Sequence, residues 1–220
     1  MFSGSTKTKM PSAAEALPGR SERMPVPAVH DLLGTPLVPP FPAGSALAMF
    51  GMGCFWGAEK KFWQLPGVIS TMVGYAAGLT PNPTYKEVCS GRTGHNEVVR
   101  VVFDPARTSY TALLKVFWDS HDPTQGMRQG NDAGTQYRSG IYYSTPEQQQ
   151  VARDMISELN DQKLFGKPVV TELLPLSNYS AAEEYHQDFF EKNPNQGYCM
   201  AVAGPKVAKF RKTFSEYAKG

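Results

Sequence analysis

The stretch Met49 to Trp63, MFGMGCFWGAEKKFW, sets Cys54 between two glycines and follows it at once with Phe55 and Trp56. A thiol that only fills a core has no need of that setting. The apolar positions Phe55, Phe62 and Leu65 mark one helical face that ends at Pro66, and "ALAMF" before them reads as a buried strand. Cys54 therefore falls at a strand-to-helix junction, where the first free N–H groups of the helix point at its sulfur and the helix dipole favours thiolate. Two readings stay open: an activated nucleophile, or the small buried hydrophobe that most free cysteines are. Phe55 and Trp56 are likewise either core or the wall of a small apolar pocket beside the thiol.

Glu97 is the second informative position. Strand alternation in "EVVRVVF" puts it on the face of Val99, Val101 and Phe103, with Arg100 on the other. A carboxyl on an apolar face is costly when ionised, so desolvation would raise its pKa and make it a proton donor near neutral pH. The alternative is a strand-end glutamate turned to water beside His95 and Asn96. Tyr85 and Tyr137 each end a glycine- or proline-rich loop from which a phenol can reach a site, although isolated tyrosines usually pack. Asp132 in "QGND" reads as a turn residue. Cys89 reads as structural. Cys199, in "NPNQGYCMAVAGP", is either a bystander or a thiol on a turn-rich segment able to attack an oxidised cysteine, if the two Cα atoms approach to about 4.4–6.8 Å.

The elements that must position these groups follow from pattern. "VISTMVGYA" and "EVVRVVF" are strands separated by the long turn-rich "AAGLTPNPTYKEVCSGRTGHN". "TSYTALLKVFWDSHD" is a helix capped by Thr108 or Ser109, and a second glycine-rich loop leads to the strand "GIYYS". Thr145, Pro146 and Gln148 open a helix running to about Asn160. "KPVVTELL" is a further strand. Ser180 and Glu183 form a capping-box signature before a helix over "AAEEYHQDFFEKN", with Tyr185 and Phe189 on one face. The fold class is α+β: a single domain with a mixed central sheet and helices packed on it, a two-layer, ferredoxin-like core with long loops. The expected division is an N-terminal proline-rich arm over 1–45, which carries 8 of the 18 prolines, a catalytic domain over 46–204, and a basic tail helix over 205–220.

Composition narrows the function classes. With 22 Lys and Arg against 20 Asp and Glu in 220 residues, no single-sign field draws nucleic acid or an acidic membrane. Four prolines interrupt the longest uncharged run, so it cannot be a membrane helix. Three cysteines without a CxxC pair fit neither a disulfide framework nor a zinc site, and His95, His121 and His186 have no ligand-like spacing, so no metal and no cofactor are expected. A reducing compartment follows, the cytoplasm first, with a mitochondrion or plastid left open by the acid-poor N-terminus. Nothing in the sequence calls for more than a monomer.

Taken together, "GCFWG", "PNPTYKEVCSG", "TGHNEVVRV", "HDPTQGMRQGNDAGTQYRSGIY", "EYHQDFFEKNP" and "GYC" resemble the A-type methionine sulfoxide reductases, the peptide-methionine (S)-S-oxide reductases. Several long motifs in order, from about Ala46 to Cys199, carry the resemblance. It implies that Cys54 attacks the sulfoxide sulfur and that Phe55 and Trp56 hold the substrate methyl group. It further implies that Glu97 protonates the sulfoxide oxygen, that Tyr85 and Tyr137 hydrogen-bond it, and that Asp132 helps order the site. Cys199 would then trap the resulting sulfenic acid as a Cys54–Cys199 disulfide, which thioredoxin reduces. The substrate would be the S epimer of methionine sulfoxide, free or in proteins. Many relatives follow "GYC" with a glycine-rich tail bearing another cysteine. This chain continues "MAVAGPKVAKFRKTF" and has none, so no second disulfide relay is expected. Two rivals use the same residues differently: a thiol peroxidase, which has little need of an aromatic wall or a dedicated acid, and a module that only binds oxidised methionine.

Overall fold

The computed structural model describes residues 7–193 and Asn195; Cys199 and the segment 205–220 lie outside the described residues. The elements in chain order are β1 (Ala46–Met52), α1 (Phe55–Trp63), β2 (Val68–Ala76), α2 (Tyr85–Cys89), β3 (Asn96–Phe103), α3 (Tyr110–Ser120), β4 (Arg128–Gln129), β5 (Asp132–Ala133), β6 (Ser139–Tyr143), α4 (Pro146–Asp161), β7 (Glu172–Pro175), β8 (Tyr179–Ala181) and α5 (Phe189–Lys192). Strands β4 and β5 form a separate ribbon, and the rest make one sheet in the order β7-β6-β1-β3-β2-β8.

The middle of that sheet explains the chain path. The neighbouring pairs β6–β1, β1–β3 and β3–β2 are antiparallel, with α1 joining β1 to β2 and α3 between β3 and β6. This is the β-α-β-β-α-β arrangement of a ferredoxin-like core, and the parallel addition of β7 to β6 makes the sheet mixed. Phe50, Val99, Val101 and Phe103 put one sheet face under Phe55 and Phe62 of α1 and Leu113, Leu114 and Phe117 of α3. Ser109 caps α3, its Oγ accepting from Ala112 N at 3.1 Å. The α+β class and single mixed sheet read from the sequence are observed.

The other sheet face is covered by the N-terminal segment, which lies over the domain. Leu37 is buried, and Arg100 donates to its carbonyl while stacking on Phe41 and Tyr179. Thr35 Oγ1 donates to Ile69 O at 2.5 Å, and His30 Nε2 meets Thr71 Oγ1 at 2.9 Å. Earlier in the segment, Leu17 N bonds Arg92 O and Arg20 N bonds Pro81 O, so the arm also braces the long β2–β3 connection.

Three expectations need correction. The β2–β3 connection contains α2, opened by a capping box in which Thr84 accepts from Glu87 N while Glu87 accepts from Thr84 N. The strand expected over "KPVVTELL" is confined to Glu172–Pro175. The helix expected over "AAEEYHQDFFEKN" is absent: Ser180 lies in β8 against Tyr75, a single 3-10 turn follows at Glu184–His186, and α5 spans four residues. Asp188, at φ 55 in the left-handed region, separates the two turns. Glu183 reaches across to β2 and α2 instead of closing a box, and these long-range bonds outweigh local helix propensity.

Gly51 shows how tightly the sheet is built behind the site. The Asn96 side chain donates from Nδ2 to Arg138 O at 3.0 Å and to Tyr142 Oη at 2.8 Å. A Cβ on Gly51 would stand 2.1 Å from that nitrogen. Gly51→Ala should therefore lower the free energy of unfolding by about 1–3 kcal/mol, read from the midpoint of a urea transition.

Candidate active site

The turn from β1 into α1 brings Cys54 to the head of the helix. Gly53 takes φ +85, where a side chain is strained, and a Cβ there would also press to 2.7 Å on Gln129 of the 121–138 loop. Cys54 is half-buried at the N-cap position. The next residue's N–H, which helix geometry leaves without an internal acceptor, donates to Glu97 Oε2 at 3.1 Å. Glu97 projects from β3 and is 1% exposed. Burial pushes its carboxyl up to about 8, Phe55 N–H opposes the rise, and the charge of Asp132 adds to it. A carboxylic acid that holds its proton near neutrality thus sits one peptide away from the thiol.

Two phenols share this neighbourhood. Tyr85 opens α2 and Tyr137 closes the 3-10 turn after the β4–β5 ribbon. Burial raises both phenol pKa values, and the charges of Glu97 and Cys54 act on each in the same direction. Both therefore stay protonated as hydrogen-bond donors. The loop of Asp132 and Tyr137 is fixed by Arg138, which donates to Thr135 O at 2.7 Å, Ala77 O at 3.1 Å and Glu172 Oε1 at 2.8 Å. Cys54, Phe55, Trp56, Tyr85, Glu97, Asp132 and Tyr137 are brought together; Cys199 is outside the described residues.

Cys89, read as structural, belongs to this setting. One turn after Tyr85 on α2, it is half-buried beside the Tyr85 phenol, and burial pushes its thiol up. The i to i+4 spacing of the two was the signal available in the sequence.

The aromatic wall is built from two distant parts of the chain. Phe55 is fully buried, with its ring 5.2 Å from His186. Trp56 is half-buried and stacks on Phe189 at 3.8 Å and 12°. His186 is the residue missed from sequence: its Nδ1 accepts the Trp56 indole N–H at 3.0 Å, and its ring packs 4.4 Å from that of Tyr85. Glu183, read as a cap, accepts Tyr85 N–H at 2.8 Å and Tyr75 O–H at 2.9 Å. One turn thus ties the heads of α1 and α2 together.

Among the described residues, His30, Glu59 and Asp188 bring possible metal-ligating atoms within 4.8 Å of one another, all buried. However, His30 Nδ1 accepts from Leu32 N at 3.2 Å and Leu33 N at 3.4 Å, which leaves the ring proton on Nε2. That nitrogen donates to Thr71 Oγ1 and lies 3.2 Å from Asp188 Oδ1, which makes no hydrogen bond among the described residues, while Thr71 Oγ1 and Asp188 N donate to Glu59. The group is a hydrogen-bonded polar knot tying the arm, α1 and the start of α5.

A family model described as peptide methionine sulfoxide reductase matches residues 46–218. The chain belongs to that family. It is an oxidoreductase, similar to peptide methionine sulfoxide reductase MsrA 1 of Synechocystis sp., with 60% identity over 92% of this chain and 91% of that one. Among solved structures it resembles methionine sulfoxide reductase A of Corynebacterium diphtheriae, at 43% identity and a TM-score of 0.80 over 86% of this chain and 92% of that one. It also resembles Mxr1 of Saccharomyces cerevisiae in reduced form, at 34% identity and a TM-score of 0.67 over 72% and 91%. The family and its fold agree with the resemblance read from the motifs.

The Glu97 carboxyl gives a test of the geometry independent of activity. An ordinary glutamate ionises near 4.5, whereas this one holds its proton to about 8 in the fold. Its contribution to stability is complete below about 4.5 and is lost as pH rises through about 8. Glu97→Gln is neutral throughout, so its stability relative to the native protein should climb as pH is raised from 6 to 9 in urea titrations. A difference flat in pH would contradict the buried acid.

Proposed function

We propose that the chain reduces the S epimer of methionine sulfoxide, free and protein-bound, to methionine in a thiol-dependent cycle that repairs oxidised proteins. The observation that carries the reading is the buried Glu97 carboxyl bonded to Phe55 N–H beside Cys54. A sulfoxide oxygen leaves poorly unless protonated, and a proton-holding acid next to a helix-head thiol meets that requirement.

Cys54 sulfur attacks the substrate sulfur as Glu97 delivers its proton to the sulfoxide oxygen. The S–S bond so formed then breaks as the protonated oxygen leaves the substrate sulfur for Cys54, so methionine departs reduced by two electrons and Cys54 ends as a sulfenic acid carrying that oxygen. Tyr85 and Tyr137, kept protonated by burial, donate to the same oxygen and spread its developing charge. Asp132 acts through Glu97, helping to keep the proton on it. Phe55 and Trp56 receive the methyl group on sulfur, which carries no polar atom and gains by leaving water.

Cys199 then attacks the sulfenic sulfur, water departs, and a Cys54–Cys199 disulfide remains for a thioredoxin or another dithiol to reduce. The solved complex of yeast Mxr1 with Trx2 supports the choice of partner for that relative, and we extend it to this chain.

Separated S and R epimers under a small dithiol test the reading: the S epimer should be consumed, and equal use of both would overturn the stereochemical assignment. Cys54→Ser should abolish turnover. Cys199→Ser should complete one turnover and then stall with thioredoxin, so sustained turnover would remove its recycling role. Glu97→Gln should slow the chemical step by about 10²–10⁴-fold. The native protein should lose rate above about pH 8 as Glu97 gives up its proton, and this fall should vanish in that variant.

A further inference from the structure

His186 lies at the junction of every wall of the site yet takes no part in the cycle above. Its ring is 1% exposed and lies between Trp56, Phe55 and Tyr85, with centroids 5.8, 5.2 and 4.4 Å away. Because Trp56 Nε1–H donates to His186 Nδ1, that nitrogen must carry a lone pair, and the single ring proton is on Nε2. Nε2 is buried, with Glu183 Oε2 3.9 Å away, beyond hydrogen-bond length. Burial also holds the imidazole down to about 4, so the ring is neutral across the working range. A neutral ring that takes up the indole N–H is an acceptor for Trp56, not an acid for the sulfoxide.

The surroundings make the bond directional. Stacking on Phe189 at 12° restrains the tilt of the Trp56 plane but leaves the indole free to slide or turn within it. An acceptor at 3.0 Å on one edge removes that freedom. His186 is in turn held by the turn whose Glu183 accepts from Tyr75 and from Tyr85 N–H. The indole edge is thus referenced to the same frame as the phenol of Tyr85.

We infer that His186 is a positioning residue for substrate selection: by pinning the indole edge of Trp56 it sets the width of the alkyl pocket, and so the preference for a methyl group over a larger one on sulfur. This rests on the sulfoxide reductase reading of the site. The discrimination involved is that of one methylene, which a rigid apolar pocket provides and a loose one does not.

The test compares the S sulfoxides of methionine and ethionine, with a small dithiol as reductant. His186→Phe keeps the ring but removes the acceptor; His186→Asn places an amide oxygen near the position of Nδ1. The Phe variant should lose about tenfold in kcat/KM for the methyl substrate, mostly through KM, with a smaller loss for the ethyl one. The Asn variant should recover most of the preference. In a Trp56→Phe background, where there is no indole N–H, the His186→Phe change should have little further effect. Equal losses for both substrates, or the same loss in both backgrounds, would overturn the inference while leaving sulfoxide reduction intact. No turnover by the native protein would instead overturn the reading on which it rests. Should His186→Phe fail to fold, replacing Trp56 by benzothienylalanine, which keeps the bicycle and lacks the N–H, makes the same comparison, and an unchanged methyl preference would refute the role.

Discussion

A single hydrogen bond from Phe55 N–H to the Glu97 carboxyl holds the chemistry of this molecule together. Helix geometry leaves that N–H without an internal partner, and strand β3 delivers a carboxyl that has left water almost completely. One backbone donor is enough to orient the acid and too little to replace its hydration, so the proton stays on. The pairing of Phe50 with Val99 and the Gly53 turn hold the two groups in reach of each other. Moving β1 by one residue against β3 would turn Glu97's neighbours to the opposite face and part the acid from the thiol.

The second constraint comes from the short turn between β8 and α5. It contributes no group to proton transfer, yet its side chains close two gaps: Glu183 takes up the N–H of Tyr85, and His186 that of the Trp56 indole. The polar knot of His30, Glu59 and Asp188 lies at the far end of the same turn, where the arm crosses. The arm covers the sheet and also steadies the turn that frames the substrate wall. Buried, directional hydrogen bonds such as those on Glu59 fix one arrangement where an apolar contact would allow several.

Much of this was legible in the sequence, and the limits have physical reasons. Strand alternation placed Glu97 among Val99, Val101 and Phe103, and helix spacing placed Cys54 at a helix head, because both are set within a few residues. The ferredoxin-like core followed from the order of strands and helices. The run from Ser180 to Asn193 has local signals that favour a helix, while its conformation is decided by partners roughly a hundred positions upstream. His186 was invisible for the same reason, since nothing near it in sequence shows that an indole will meet it. The place of Asp132 beside Glu97 required the loop that Arg138 fixes.

The separation in sequence of the paired groups has a consequence for how the protein is made. Cys54 precedes Glu97 by 43 positions, and Trp56 precedes His186 by 130. A chain emerging from the ribosome in that order exposes its thiol well before the acid and far before the turn that frames the wall. Until the last strand docks, the cysteine lacks an assembled site, and a truncated or stalled product carries an ordinary thiol. On the proposed reading, reactivity is a property of the finished topology, and it appears only once the turn that carries His186 has been made.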